Sequence, residues 1–337
     1  MDDRRYFGAA LAVVALFLTG CVLKIARPVL IPFILAVFLS FLIDPALGLL
    51  TRCRCPRPWA TALVLALMFV ALYLFGVLAY SSGKALVAEL PKYQGRLADI
   101  AAFLGKGLGP FKVDLSAALR NLDIDRAGAL ILGAIGPFLG LVGKLLLVFL
   151  FLVAIVAGRG RLGPKIAAAL GEARAGRARS ILASIDAQVR KYLVLKTAVS
   201  LANGVMVWIV LACFGVDFAA FFGLAAFLLN YIPNIGSAIA TVLRVGFAFF
   251  QFGTFWTPFW VLVVANGLDL VLGNVVEPRI MGKGLGLSPL IVFFSLVFWG
   301  WLWGIPGMIL SVPLTALVKI VCQNVPALRP AAVLMGS

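Results

Sequence analysis

Three ionisable side chains lie within apolar stretches where ordinary packing has no use for them. Asp269 stands mid-way along the run Thr257–Val276, among leucines and valines, and is too short to reach the end of that run. Arg244 lies in the apolar segment Gly236–Phe250 and is the only arginine so placed in the C-terminal half. Glu277 closes the Asp269 run. In a bilayer, a charge at a helix centre costs about 2.5–3.5 kcal/mol on insertion scales, so it must be neutral, paired or facing water. Asp269, Gly273 and Glu277 are spaced by four and share one ridge of a helix, with Asn266 and Asn274 adding polar groups nearby. Pro278 disfavours helix at Glu277, so the helix is expected to end or break there. A carboxylate at a helix C-terminus meets the negative end of the dipole and calls for compensation by Arg279 or a cation. Arg244 is the expected partner of Asp269. The pattern leaves two readings open: carboxylates that carry a proton or sodium ion in turn, or a static Asp269–Arg244 pair that holds two helices together.

The elements that position these groups follow from composition. Of 337 residues, 63% are hydrophobic and 12% charged, against about 45–50% and 25% in soluble domains. This excludes a soluble globular enzyme and a disordered chain, and the long continuous apolar runs exclude an outer-membrane barrel. What remains is an all-α polytopic membrane protein. Lys plus Arg is 29 and Asp plus Glu is 13, a formal charge of +16. In a membrane protein that excess marks loops beside anionic lipid rather than nucleic acid. There is no histidine, and Cys53 and Cys55 form a lone C-x-C, so no metal site is expected. The phosphate-loop, G-x-S-x-G and H-E-x-x-H motifs are absent from the sequence, so no cofactor and no enzymatic activity are expected.

Along the chain, three apolar runs occupy residues 1–80, the first read as a retained span despite its signal-like start. Residues 81–135 carry balanced charge and are read as an extracytoplasmic amphipathic insert. A fourth span covers 136–158. A basic amphipathic linker covers 159–196, with Ile181, Ile185, Val189 and Tyr192 on one face. The transport core is expected at 197–322, followed by a tail at 323–337.

Within that core, Thr197–Val216 reads as a fifth span. Phe218–Ile232 and Gly236–Phe250 are short halves broken around Pro233, and Pro289–Trp303 and Ile305–Val321 are short halves broken at Gly304–Gly307. Fifteen residues make roughly 22 Å of helix, short of a hydrocarbon core of about 30 Å. The expectation is therefore about seven to eight spans with two broken or re-entrant hairpins. Two span-plus-hairpin units of opposite orientation would bring interrupted segments to a transport path near Asp269, lined by Asn230, Pro233, Asn234 and Gly236 and by Gly304, Pro306 and Gly307. The arginine loop at 52–57 and the basic stretch at 159–196 place both termini in the cytoplasm and the insert outside.

Two motifs carry a resemblance. Asn230-Tyr-Ile-Pro-Asn-Ile-Gly-Ser237 and Glu277-Pro-Arg-Ile-Met-Gly-Lys-Gly-Leu-Gly-Leu-Ser-Pro289, followed by Phe298-Trp-Gly and Gly304-Ile-Pro-Gly-Met-Ile-Leu-Ser-Val-Pro-Leu-Thr315, resemble the autoinducer-2 exporter family. The likeness is strong from about residue 190 to 322 and only organisational before that. One departure is Val194-Leu195-Lys196, where many relatives carry a Gly-Gln-like pair. The resemblance implies a bacterial inner-membrane protein that assembles as a homo-oligomer. It further implies a secondary transporter or facilitator, exporting a small polar solute such as autoinducer-2 or exchanging sodium for protons. A membrane scaffold or signalling protein, binding a partner through residues 81–135, is the rival outside transport.

Overall fold

A computed structural model describes residues 2–52, 54, 56–89, 145–158, 168, 172–281, 286–324 and 328–336. Most of the insert at 81–135, the start of the fourth span, Cys53, Cys55 and much of the basic linker lie outside the described residues.

Among the described residues the α-helices are α1 (Asp2–Ile25), α2 (Arg27–Arg52), α3 (Arg57–Glu89), α4 (Leu145–Gly158), α5 (Glu172–Cys213), α6 (Ala219–Leu229), α7 (Ile235–Phe252), α8 (Trp256–Val271), α9 (Glu277–Met281), α10 (Pro289–Trp303), α11 (Ile305–Asn324) and α12 (Arg329–Leu334). Six of the described helical stretches are long and apolar enough to cross a membrane, while α4, α6 and α10 are shorter apolar helices. Their outward faces are rich in apolar side chains such as Val242, Trp256, Leu290 and Phe294. Helices that satisfy their own backbone and turn such faces outward suit a hydrocarbon solvent.

Three local expectations are corrected. First, the hairpins are not built from equal short halves. Each joins a short arm to a longer one: α6 has 11 residues and α7 has 18, while α10 has 15 and α11 has 20. Helix α7 runs past Phe250 to a C-cap at Gly253, whose φ of 63° closes the helix in the left-handed region. Second, the helix is not interrupted between the basic linker and the fifth span. Helix α5 continues for 42 residues, about 63 Å at 1.5 Å per residue. Lys196, which marks the expected boundary as a charge at water, is buried instead. Third, the helix breaks just before Glu277 rather than ending at it. A π-helical turn, Leu272–Val276, joins α8 to α9, and the Glu277 N–H donates to the Leu272 carbonyl five residues back. The wider turn lets the chain pass Pro278, which has no N–H and would crowd an α-helical carbonyl.

The chain divides into two compact units. One contains Met1–Leu65, Leu146–Val194 and Gly284–Ser337. Its core joins Ile31 to Leu302, Trp303, Leu310 and Leu314. The Trp303 indole N–H donates to the Leu23 carbonyl at 3.1 Å. Hairpin α10–α11 closes on Gly307, because a Cβ there would lie 2.0 Å from the Trp299 carbonyl oxygen. Ser295 links the arms through Thr315 at 2.5 Å and the Ser311 carbonyl at 2.9 Å. The segment after the hairpin folds back: Leu287 bridges Gly336, and the Ser288 N–H donates to the Met335 carbonyl.

The other unit contains Ala66–Leu145 and Leu195–Lys283. Val207 and Leu211 of α5 pack with Phe222, Ala226, Phe247 and Val261. Glycine sets the spacing of α5 and α6, since a Cβ on Gly204 would meet the Gly223 carbonyl oxygen at 2.8 Å. Gly236 is equally obligatory at the α6–α7 turn, where a Cβ would lie 1.8 Å from the Leu229 carbonyl oxygen. This unit holds Arg244, Asp269 and Glu277.

Candidate transport site

Helices α7 and α8 form a hairpin across residues 253–255, and their facing sides carry the intramembrane polar groups. Each helix contributes two polar residues three apart, Thr241 with Arg244 and Asn266 with Asp269, which share a face in each helix. Helical side chains slope toward the N-terminus. Arg244 therefore reaches back past Thr241, donating from Nη2 to its hydroxyl at 2.9 Å. The same nitrogen meets Asp269 Oδ2 at 2.5 Å. Thr241 in turn lies 3.4 Å from Asn266 Oδ1. The Arg244 and Asp269 side chains are 1% and 6% exposed, so both charges are withdrawn from solvent.

The pair is closed at only one edge. Arg244 Nε and Nη1 and Asp269 Oδ1 are buried without a hydrogen-bond partner. Each unsatisfied buried polar group costs about 1–3 kcal/mol. A fully satisfied pair would be a plausible structural clamp; this one carries two donor nitrogens and one acceptor oxygen available for other bonds.

A second ion pair belongs to the same unit. Lys196 Nζ lies 2.7 Å from Glu277 Oε1 and 2.9 Å from Oε2. Arg279, expected to compensate Glu277, is exposed, and the compensating cation is Lys196. Asn274 is also exposed, within the π turn. Lys196 begins a buried polar row on α5 that continues with Ser200 and Asn203, at helical spacings of four and three. Asn230 donates to Ser200 at 2.9 Å, and the Tyr231 hydroxyl to Thr197 at 2.7 Å. These bonds fasten the α6–α7 turn to the middle of α5. Asn203 Oδ1 is buried without a partner.

Of the other residues expected near a path, Pro233 is half-buried and Asn234 is exposed in the turn, with φ at 58° in a region that non-glycine residues seldom adopt. Gly236 is buried. Gly304, Pro306 and Gly307 form the α10–α11 turn, which belongs to the unit that lacks Arg244 and Asp269. Lys196, Ser200 and Asn203 escaped the sequence reading as site residues. Their signal was there: three polar side chains at i, i+4 and i+7, running from the end of the basic linker into an apolar span.

An all-α fold with several helices long and apolar enough to cross a membrane, and buried ion pairs inside apolar segments, fits the class of membrane transport proteins. Residues 11–327 match the AI-2E family transporter profile, and the chain belongs to that family. It is 35% identical over 318 residues to the AI-2 transport protein TqsA of Escherichia coli K12, covering 94% of this chain and 92% of the relative. It is 31% identical over 332 residues to a Haemophilus influenzae protein named as a candidate transport protein, covering 97% and 94%. Identity to YhhT of Escherichia coli K12, a candidate transport protein, is 32% over 322 residues, covering 92% and 89%.

Proposed function

We propose that the protein is a secondary transporter that exports a small polar solute, of the autoinducer-2 type, across the bacterial inner membrane. Both termini are cytoplasmic in this reading, and the protein works as a homo-oligomer. The observation that carries it is the Arg244–Asp269 pair, buried between two membrane-crossing helices with part of its hydrogen-bonding capacity unused. The name of TqsA supports the choice of solute.

The chemistry follows from competition for the pair. Asp269 binds Arg244 while it is ionised. A proton or cation arriving at Asp269 weakens the attraction and frees the guanidinium. A neutral polar solute could then compete for the Arg244 N–H groups that already lack partners. Two arrangements, one paired and one open, make an equilibrium that both ion and solute can bias. Glu277 and Lys196 offer a second exchange of the same kind, and the π turn between Asp269 and Glu277 is an element with a soft backbone ladder. The second carboxylate favours one alternative, a sodium/proton antiporter that uses Asp269 and Glu277 in turn.

Purified protein in liposomes tests the reading. Export predicts autoinducer-2 flux that responds to an imposed proton or sodium gradient. Antiport predicts cation-dependent movement of internal pH without solute. Neither flux under any gradient would defeat both.

A further inference from the structure

Apart from the Arg244–Asp269 region, one buried charge has no use in the transport account. Lys319 is a lysine of α11 with only 7% of its surface exposed. Its ammonium donates to the Gly286 carbonyl oxygen. Among the described residues, neither Lys319 nor Arg329 forms an ion pair. A lysine ammonium has three donors, and a buried charge without a counter-ion is expensive.

The lysine lines a pocket of about 350 Å³ together with Gln323, Arg329, Ala332, Val333 and Gly336. The pocket exists because the chain after α11 turns back on itself. The Leu287–Gly336 bridge and the Ser288–Met335 bond tie that return segment to the start of α10. The result is a concavity with two cations and a carboxamide and no carboxylate among its lining residues. The two helices that supply the lining also carry exposed apolar side chains: Val318 and Val321 on α11, and Leu334 beside the lining residue Val333 on α12.

We propose that this pocket binds a phosphate-type oxyanion, supplied by the headgroup of an anionic phospholipid whose acyl chains lie along those apolar side chains. Lys319 and Arg329 supply the charge, and Gln323 a neutral donor. Basic pockets between membrane helices are suited to such headgroups. A buried lysine and an exposed arginine on helices that also carry exposed apolar side chains fit an amphiphile better than a free ion. The positive-inside argument places the pocket at the cytoplasmic face, where the anionic lipid is. The site lies in the unit without the transport pair, so its failure would leave the transport reading untouched.

The test uses the full-length protein in detergent. Phosphatidylglycerol is titrated and bound lipids are counted by native mass spectrometry, with phosphatidylcholine as the zwitterionic comparison. Arg329→Gln is the main variant, because Arg329 is exposed and its loss should spare the fold. Lys191→Gln removes the same charge from an exposed site elsewhere and controls for general attraction to a chain of charge +16. The expected result is about fivefold weaker phosphatidylglycerol binding in Arg329→Gln and little change in Lys191→Gln. Lys319→Gln should remove the tight site altogether if it folds. Inorganic phosphate decides the source. If it leaves phosphatidylglycerol bound, the ligand is the lipid; if it displaces the lipid at low millimolar concentration, and its own binding depends on Arg329, the pocket takes free oxyanions. Equal losses in Arg329→Gln and Lys191→Gln, or binding of neither probe that depends on Arg329, would overturn the proposal.

Discussion

Lys196 and Glu277 are 81 residues apart in sequence, and the lysine ammonium sits against both oxygens of the glutamate, at 2.7 and 2.9 Å. That bond joins the middle of α5 to the start of α9 within one compact unit. The lysine side chain is 6% exposed and the glutamate side chain 20%. Removing either partner therefore strands a charge that is largely cut off from water. Lys196→Gln and Glu277→Gln should each lower the stability of the unit by about 1–3 kcal/mol, less than for a fully buried pair. The double variant should cost less than the sum. Thermal unfolding of the four proteins in detergent measures the coupling, and additive losses would show that the contact contributes no stability.

Glycine has a different kind of necessity at the hairpin turns. Gly236→Ala and Gly307→Ala put a methyl group into a backbone carbonyl, at 1.8 and 2.0 Å, so the turns must open. Overpacking typically costs 1–3 kcal/mol, and these two should reach at least the upper end of about 3 kcal/mol because the obstacle is backbone. Gly267→Ala, on a helix with nothing within 4 Å of its Cβ, should be neutral or stabilising by up to about 1 kcal/mol. Melting temperatures that rank Gly267→Ala below the other two would contradict this packing.

The orientation proposed from charge is tested by labelling. An impermeant thiol reagent applied to cells stripped of outer membrane should modify a cysteine introduced at Ser81 and leave Cys53 and Cys55 unmodified. The opposite pattern would invert the topology and put the basic segments outside.

The ion pair at the centre of the site was legible from sequence because both members violate their surroundings. Arg244 and Asp269 are charges in apolar helices, and each is the other's most economical solution. The partner of Glu277 was not legible. Arg279 is two residues away in sequence, but consecutive helical positions point in different directions, and the fold instead brings Lys196 from α5. Lys196 looked like the last member of a water-facing basic stretch, which also hid the continuity of α5. The break expected at Glu277 falls just before it, and the chain continues through Pro278. Proline rules assume an α-helical ladder, and the π turn at Leu272–Val276 changes that ladder before the proline is reached. The hairpins were visible as interrupted apolar runs. Their unequal arms were not, because helix extends beyond the apolar residues, through Gln251 in α7 and as far as Asn324 in α11.

A structural clamp and a coupling site respond differently to neutralisation. Asp269→Asn keeps the shape of the side chain and removes its charge, leaving Arg244 buried and alone. If the pair only holds α7 and α8 together, its loss should cost about 3–5 kcal/mol and impair assembly. Adding Arg244→Gln should then restore both assembly and flux. If Asp269 couples, Arg244→Gln should not restore gradient-driven flux to a folded Asp269→Asn protein.

The most direct measurement is gradient-driven flux by Asp269→Asn in liposomes, at protein levels and oligomeric state matched to the parent. The account predicts that the variant inserts and assembles but loses at least about tenfold of the flux driven by a proton or sodium gradient, equivalent to about 1.4 kcal/mol. Unchanged gradient dependence in a well-assembled Asp269→Asn protein, and again in Asp269→Asn with Glu277→Gln, would contradict it.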